Sequence, residues 1–150
     1  GIVDLSRHAP REAYSTAIFG VFGIARMVDK GRASLSDTLG DYFYGEDSGF
    51  DRTILGFLGL SADEFREALK THATDGEIAA WLDSWVGKSE DEIAEFNTRI
   101  STGEPETDAQ RAFYNRLLSK LDPSRPDVTS WAALVQLDDH ISFARLKAGV

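Results

Sequence analysis

Residues 61–85 read SADEFREALKTHATDGEIAAWLDSW, and two helix starts stand within them. Ser61-Ala-Asp-Glu64 and Thr74-Asp-Gly-Glu77 both fit the capping box. In that motif a Ser or Thr hydroxyl accepts from the amide three residues on, and the Glu or Gln there reaches back to the first amide. The apolar residues that follow have the helical period. Phe65, Ala68 and Leu69 come after Ser61; Ile78, Trp81, Leu82 and Trp85 come after Thr74, at i, i+3, i+4 and i+7. Stripes of this kind are core faces in the first instance.

The same signature recurs downstream, at Ser89-Glu-Asp-Glu92 and Thr107-Asp-Ala-Gln110. Ile93, Phe96 and Ile100 follow the first, and Phe113, Leu117 and Leu121 the second. Four helices are therefore predicted to begin at these positions. They also account for the charge. The chain carries a formal net charge of −9, and residues 61–110 alone hold 13 acidic and 4 basic side chains. Acids in first turns complement the helix dipole, so the acidic middle needs no cationic partner.

Outside this stretch the helical reading continues. Pro10 suits a first turn, and a helix is predicted from there to about Lys30, with Gly31 closing it. Gly20 and Gly23 fall in its interior, where each costs about 1 kcal/mol relative to Ala; close approach of another helix or a ligand is the expected return. DRTILGFLGL (51–60) reads as a short helix ending near Gly59, and SWAALVQL (130–137) as the last helix. LGDYFYGEDSGF (39–50) is turn-rich with room for an extended segment, and DPSRPD (122–127) is a rigid connector because both prolines disfavour helix. The expected fold is all-α: a single compact multi-helix domain over 1–150, with six to eight helices and little or no sheet.

Composition narrows the function. The 150 residues are 42% hydrophobic and 27% charged, which suits a globular core. There is no cysteine, so disulfides and thiolate metal sites are excluded and a reducing cytoplasm is the expected location. The longest apolar run, Ala17 to Ala25, falls well short of the roughly 20 residues of a bilayer span. The opening GIVDLSRHAPREAY lacks the layout of a signal peptide. An acidic chain without clustered Lys and Arg is not expected to bind nucleic acid or an anionic membrane. No Gly-rich phosphate loop, G-x-S-x-G elbow or metal-spaced histidine pair is present, so no cofactor and no metal are expected, and no reaction class is indicated.

One cluster stands out. Arg26, Asp29, Lys30 and Arg32 arrive within seven positions, just after the apolar AIFGVFGIA, and Tyr42-Phe43-Tyr44 follows. On a helix Arg26 and Lys30 share a face, and Asp29 lies three residues from Arg26 and from Arg32, where it can offset their repulsion. Two readings fit. Cations belong at a helix C-terminus, where they meet unpaired carbonyls. Alternatively, Arg26 and Lys30 face a polar cavity and hold a small carboxylate or phosphate, with Tyr42 and Tyr44 on its wall. Those tyrosines could equally seal the core. At the far end Asp138, Asp139 and His140 follow the last apolar helix, where a terminal turn would let an acid meet Arg26 or Lys30.

The run Arg26-x-x-Asp29-Lys30-x-Arg32-Ala33, followed by Thr38-Leu39-Gly40-x-Tyr42, resembles an uncharacterised bacterial family known only as a domain of unknown function. So do Leu58-Gly59-Leu60 with Phe65, Thr74-Asp75 with Glu77 and Trp81, and Trp131 with Leu137-Asp138-Asp139. The similarity extends from Pro10 to about Val86, and more loosely over the last twenty residues. In the family the closing acids tend to precede Gly-Arg, whereas His140-Ile141 stands here. The resemblance implies a compact helical domain and no activity. It singles out Arg26, Asp29, Lys30, Arg32, Gly40 and Tyr42. The expected ligand site is thus Arg26, Asp29, Lys30, Arg32, Tyr42 and Tyr44, taking a small anionic molecule. The alternative is a non-catalytic homodimeric interaction protein, in which Arg26, Asp29 and Lys30 are purely structural and the Gly20/Gly23 notch packs against a second copy.

Overall fold

All four Ser/Thr signatures start helices. In a computed structural model that describes residues 2–147, α3 (Ala62–Thr71), α4 (Asp75–Trp85), α5 (Glu90–Thr102) and α6 (Asp108–Leu121) follow Ser61, Thr74, Ser89 and Thr107 directly. Each hydroxyl accepts from the amide three residues on. Glu64, Glu92 and Gln110 complete the box by accepting from the Ser61, Ser89 and Thr107 amides. The other helices are α1 (Ile24–Leu35), α2 (Gly49–Leu58) and α7 (Trp131–Lys147), with a short 3-10 helix at Gly45–Asp47. The fold is all-α, and no strand occurs among the described residues. Gly59, left-handed at φ 72°, closes α2 as expected.

The first helix departs from the expectation. It begins at Ile24, not near Pro10, and runs through Gly31 to Leu35. Residues 10–23 form successive turns. Phe19, Gly20 and Gly23 take φ of 61°, 70° and 85°, values no right-handed helix contains. Asn97 braces these turns: its carbonyl oxygen accepts from the Phe22 amide at 2.8 Å, and its amide nitrogen donates to the Gly20 carbonyl at 3.0 Å. The close approach expected of the two glycines is found at Gly23, where a Cβ would run into the Ile54 and Phe50 side chains, and not at Gly20, which faces open space; Gly31 is a second such position. A Cβ there would run into the Leu69 side chain of α3, against which α1 packs.

The chain forms two compact units, Gly1–Asn97 and Thr98–Val150. In the first, α1 packs on α3, α3 on α4, and α2 on the 3-10 helix. Its core includes Ile18, Ile24, Met27, Ile54, Phe65 and Leu82, all sealed from solvent. In the second, α6 and α7 pack around Tyr114, Val128, Leu134 and Leu137. There the Tyr114 hydroxyl donates to the Ser130 carbonyl at 2.8 Å.

Candidate functional site

α1 is where apolar and charged requirements collide. Every residue from Ile24 to Gly31 is buried, including Arg26, Asp29 and Lys30. Lys30 is therefore not a cation at a helix end, since the helix continues past it to Leu35; only Arg32 lies in the last turn. A charge buried mid-helix requires a partner, and Lys30 and Asp29 each have one elsewhere in the first unit.

Lys30 turns toward the start of α2. Its Nζ lies 2.8 Å from Asp51 Oδ1, with side-chain exposures of 4% and 0%. The second Asp51 oxygen accepts from the Gly45 amide at 2.8 Å. Ser48 joins the two: its hydroxyl caps α2 by accepting from the Asp51 amide, and lies 3.4 Å from Lys30 Nζ. The Lys30–Asp51 pair thus ties the middle of α1 to the start of α2.

Asp29 does not bridge Arg26 and Arg32. It is held by Arg11, which donates through its backbone amide at 2.8 Å, Nε at 3.1 Å and Nη2 at 3.0 Å. The same guanidinium continues to Asp75 at the start of α4, with Nη1 at 2.6 Å from Oδ2 and Nη2 at 3.2 Å from Oδ1. Arg32 Nη1 reaches Asp75 Oδ1 from the other side at 2.9 Å. Four side chains therefore alternate in sign: Asp29, Arg11, Asp75, Arg32. Hydrogen bonding from Arg11, then the charge of Arg11 and the Arg32 contact, hold the Asp75 carboxyl below its ordinary range against a smaller opposing cost of burial. The Arg11 guanidinium is pushed up, chiefly by its bond to Asp75.

The remaining candidates separate. The Arg26 guanidinium lies over the Tyr42 ring, 5.5 Å from its centre, in cation–π contact. The Tyr44 hydroxyl donates to the Ala62 carbonyl at 2.7 Å, and burial followed by the Asp51 charge pushes it up. Tyr44 thus seals the start of α3. Arg66 donates to the hydroxyl and carbonyl of Ser34. At the far end, α7 runs straight through Asp138, Asp139 and His140, so the expected terminal turn does not form there. Asp138 accepts from Ser142 one turn on. Among the described residues, no three His, Asp or Glu side chains gather as metal ligands, and no helix is long and apolar enough to cross a membrane.

Reading along the sequence missed Arg11 and Asp51, and missed Asp75 as more than a helix start. Ser48-x-x-Asp51 is a helix-start pattern, but it carries no sign of the distant partner of Asp51. Arg11 had no local signal, because its partners lie 18 and 64 residues away.

A family model described as Domain of unknown function (DUF5069) matches residues 7–141. The chain belongs to this family. No curated protein matches it. The DUF5069 span takes in Arg11, all of α1, and the Asp51 and Asp75 partners, so both ion-pair systems lie inside the family's own boundaries.

Proposed function

We propose that this DUF5069 chain binds a small anionic ligand, a carboxylate or phosphate, at the arginine corner of its first unit. One observation carries the reading. Two guanidinium groups, Arg11 and Arg32, converge on a single carboxylate, that of Asp75, the most exposed member of the network at 43%. Paired guanidinium forks are the arrangement that recognises carboxylate and phosphate. Arg32 also keeps a buried Nη2 with no hydrogen-bond partner. The donors here exceed the acceptors, and an anion with further oxygens would meet them. Asp29 orients Arg11, and Lys30 anchors α1 through Asp51. A cytoplasmic site of action is compatible with the cysteine-free sequence.

The alternative, a homodimer in which Arg26, Asp29 and Lys30 are structural only, has the sealed Lys30–Asp51 pair in its favour. Residues 24–31 of α1 are already buried, so a second copy would need another face. Calorimetric titration of phosphate and of acetate at low ionic strength tests the proposal. Saturable binding that Arg32→Met removes supports it. Heats equal to those of the buffer blank, with a dimer in sedimentation, favour the alternative.

A further inference from the structure

From the same corner, and resting on the proposed anion site, we infer that the ligand is a carboxylate and that Asp75 is its built-in stand-in, leaving the two guanidiniums when the ligand arrives. Three features lead there. The contact is shaped for a planar, two-oxygen group: Arg11 grips both Asp75 oxygens edge-on, and Arg32 takes one of them from the side. Bidentate pairing of this kind matches a carboxylate in geometry as well as charge. The exposures are graded. Asp29 is 13% exposed, Arg32 22%, Arg11 31% and Asp75 43%. Arg11 is fixed from behind by three bonds to Asp29, so this cation stays placed when Asp75 leaves.

Asp75 is also free to leave without unwinding its helix. It is the first residue of α4, but the helix cap is made by the Thr74 hydroxyl, not by the Asp75 carboxylate. Swinging Asp75 outward exchanges one carboxylate on the guanidiniums for another and returns the displaced one to water. The intrinsic affinity for a free carboxylate is thus masked by a tethered competitor, as for any binding-competent state populated only in part.

Chemical complementation tests this. Asp75→Ala leaves a space the size of a carboxylate, which acetate can fill. Thermal unfolding is followed for wild type, Asp75→Ala and Asp75→Ala/Arg32→Met in acetate, phosphate or chloride at matched ionic strength. Acetate is expected to raise the melting temperature of Asp75→Ala saturably, more than phosphate or chloride does, and to leave the double variant unmoved. Its affinity for Asp75→Ala should exceed that for wild type by tenfold or more. Asn replaces Ala if Asp75→Ala does not fold, with the gain in acetate affinity as the readout. Equal acetate affinity in wild type and the variant would overturn the stand-in role and leave the anion site in place. Stronger stabilisation by phosphate than by acetate would overturn the carboxylate assignment alone. No anion effect on any of the proteins would remove both this inference and the site beneath it.

Discussion

Lys30 Nζ and Asp51 Oδ1 lie 2.8 Å apart, on α1 and α2, with both side chains closed off from water. Removing one member of such a pair leaves the other charged and unpaired in a low-dielectric setting, which costs about 3–5 kcal/mol. Lys30→Met is therefore expected to lower unfolding free energy by that amount in urea titrations. Lys30→Met with Asp51→Leu should recover much of the loss, because replacing both partners by apolar groups is far less costly than stranding one. A loss below about 1 kcal/mol for Lys30→Met, the scale of exposed pairs, would mean that Lys30 reaches solvent.

Gly31 and Leu69 mark the crossing of α1 and α3. Because a Cβ at position 31 meets the Leu69 side chain, Gly31→Ala sets better helix propensity against overpacking. Propensity favours Ala by about 1 kcal/mol, while overpacking costs about 1–3 kcal/mol. Net destabilisation is expected, and Gly31→Ala combined with Leu69→Ala should relieve the clash. A more stable Gly31→Ala protein in thermal melts would show that the helices are not in close contact there.

Asp75 gives the stability a pH dependence of definite sign. Its folded carboxyl lies below the ordinary 3.8, first because Arg11 donates to it. The unfolded chain thus takes up the proton first as pH falls. The stabilisation is complete above the unfolded value and is lost as pH drops from about 4 through the folded one. Asp75→Asn should flatten the acid limb of a plot of urea midpoint against pH. An acid limb unchanged from wild type would place the titration on other carboxylates.

Much of the architecture was legible because it is local. A Ser or Thr and its Glu or Gln lie three residues apart, so Ser61, Thr74, Ser89 and Thr107 announced α3 to α6. The region before α1 was misread for a related reason. Pro10, an apolar run and Gly31 satisfy local rules for a helix, but the positive φ of Phe19 and the Asn97 brace are tertiary facts. The charged cluster was found, yet its wiring was not. Spacing on α1 paired Asp29 with its helical neighbours, whereas the fold supplied Arg11 from a preceding turn and Asp51 and Asp75 from two later helices.

The central claim is that Arg11 and Arg32 form one anion-binding corner, and their guanidinium Nε–H signals in nitrogen-edited NMR report on it directly. Titration with acetate and with phosphate at constant ionic strength is expected to move the Arg11 and Arg32 signals along one saturating curve. Arg66, which donates to the Ser34 hydroxyl and carbonyl on α1, serves as the internal control and should stay still. Signals of Arg11 and Arg32 that do not move, or that drift linearly together with Arg66, would contradict the account and leave the network as structure alone.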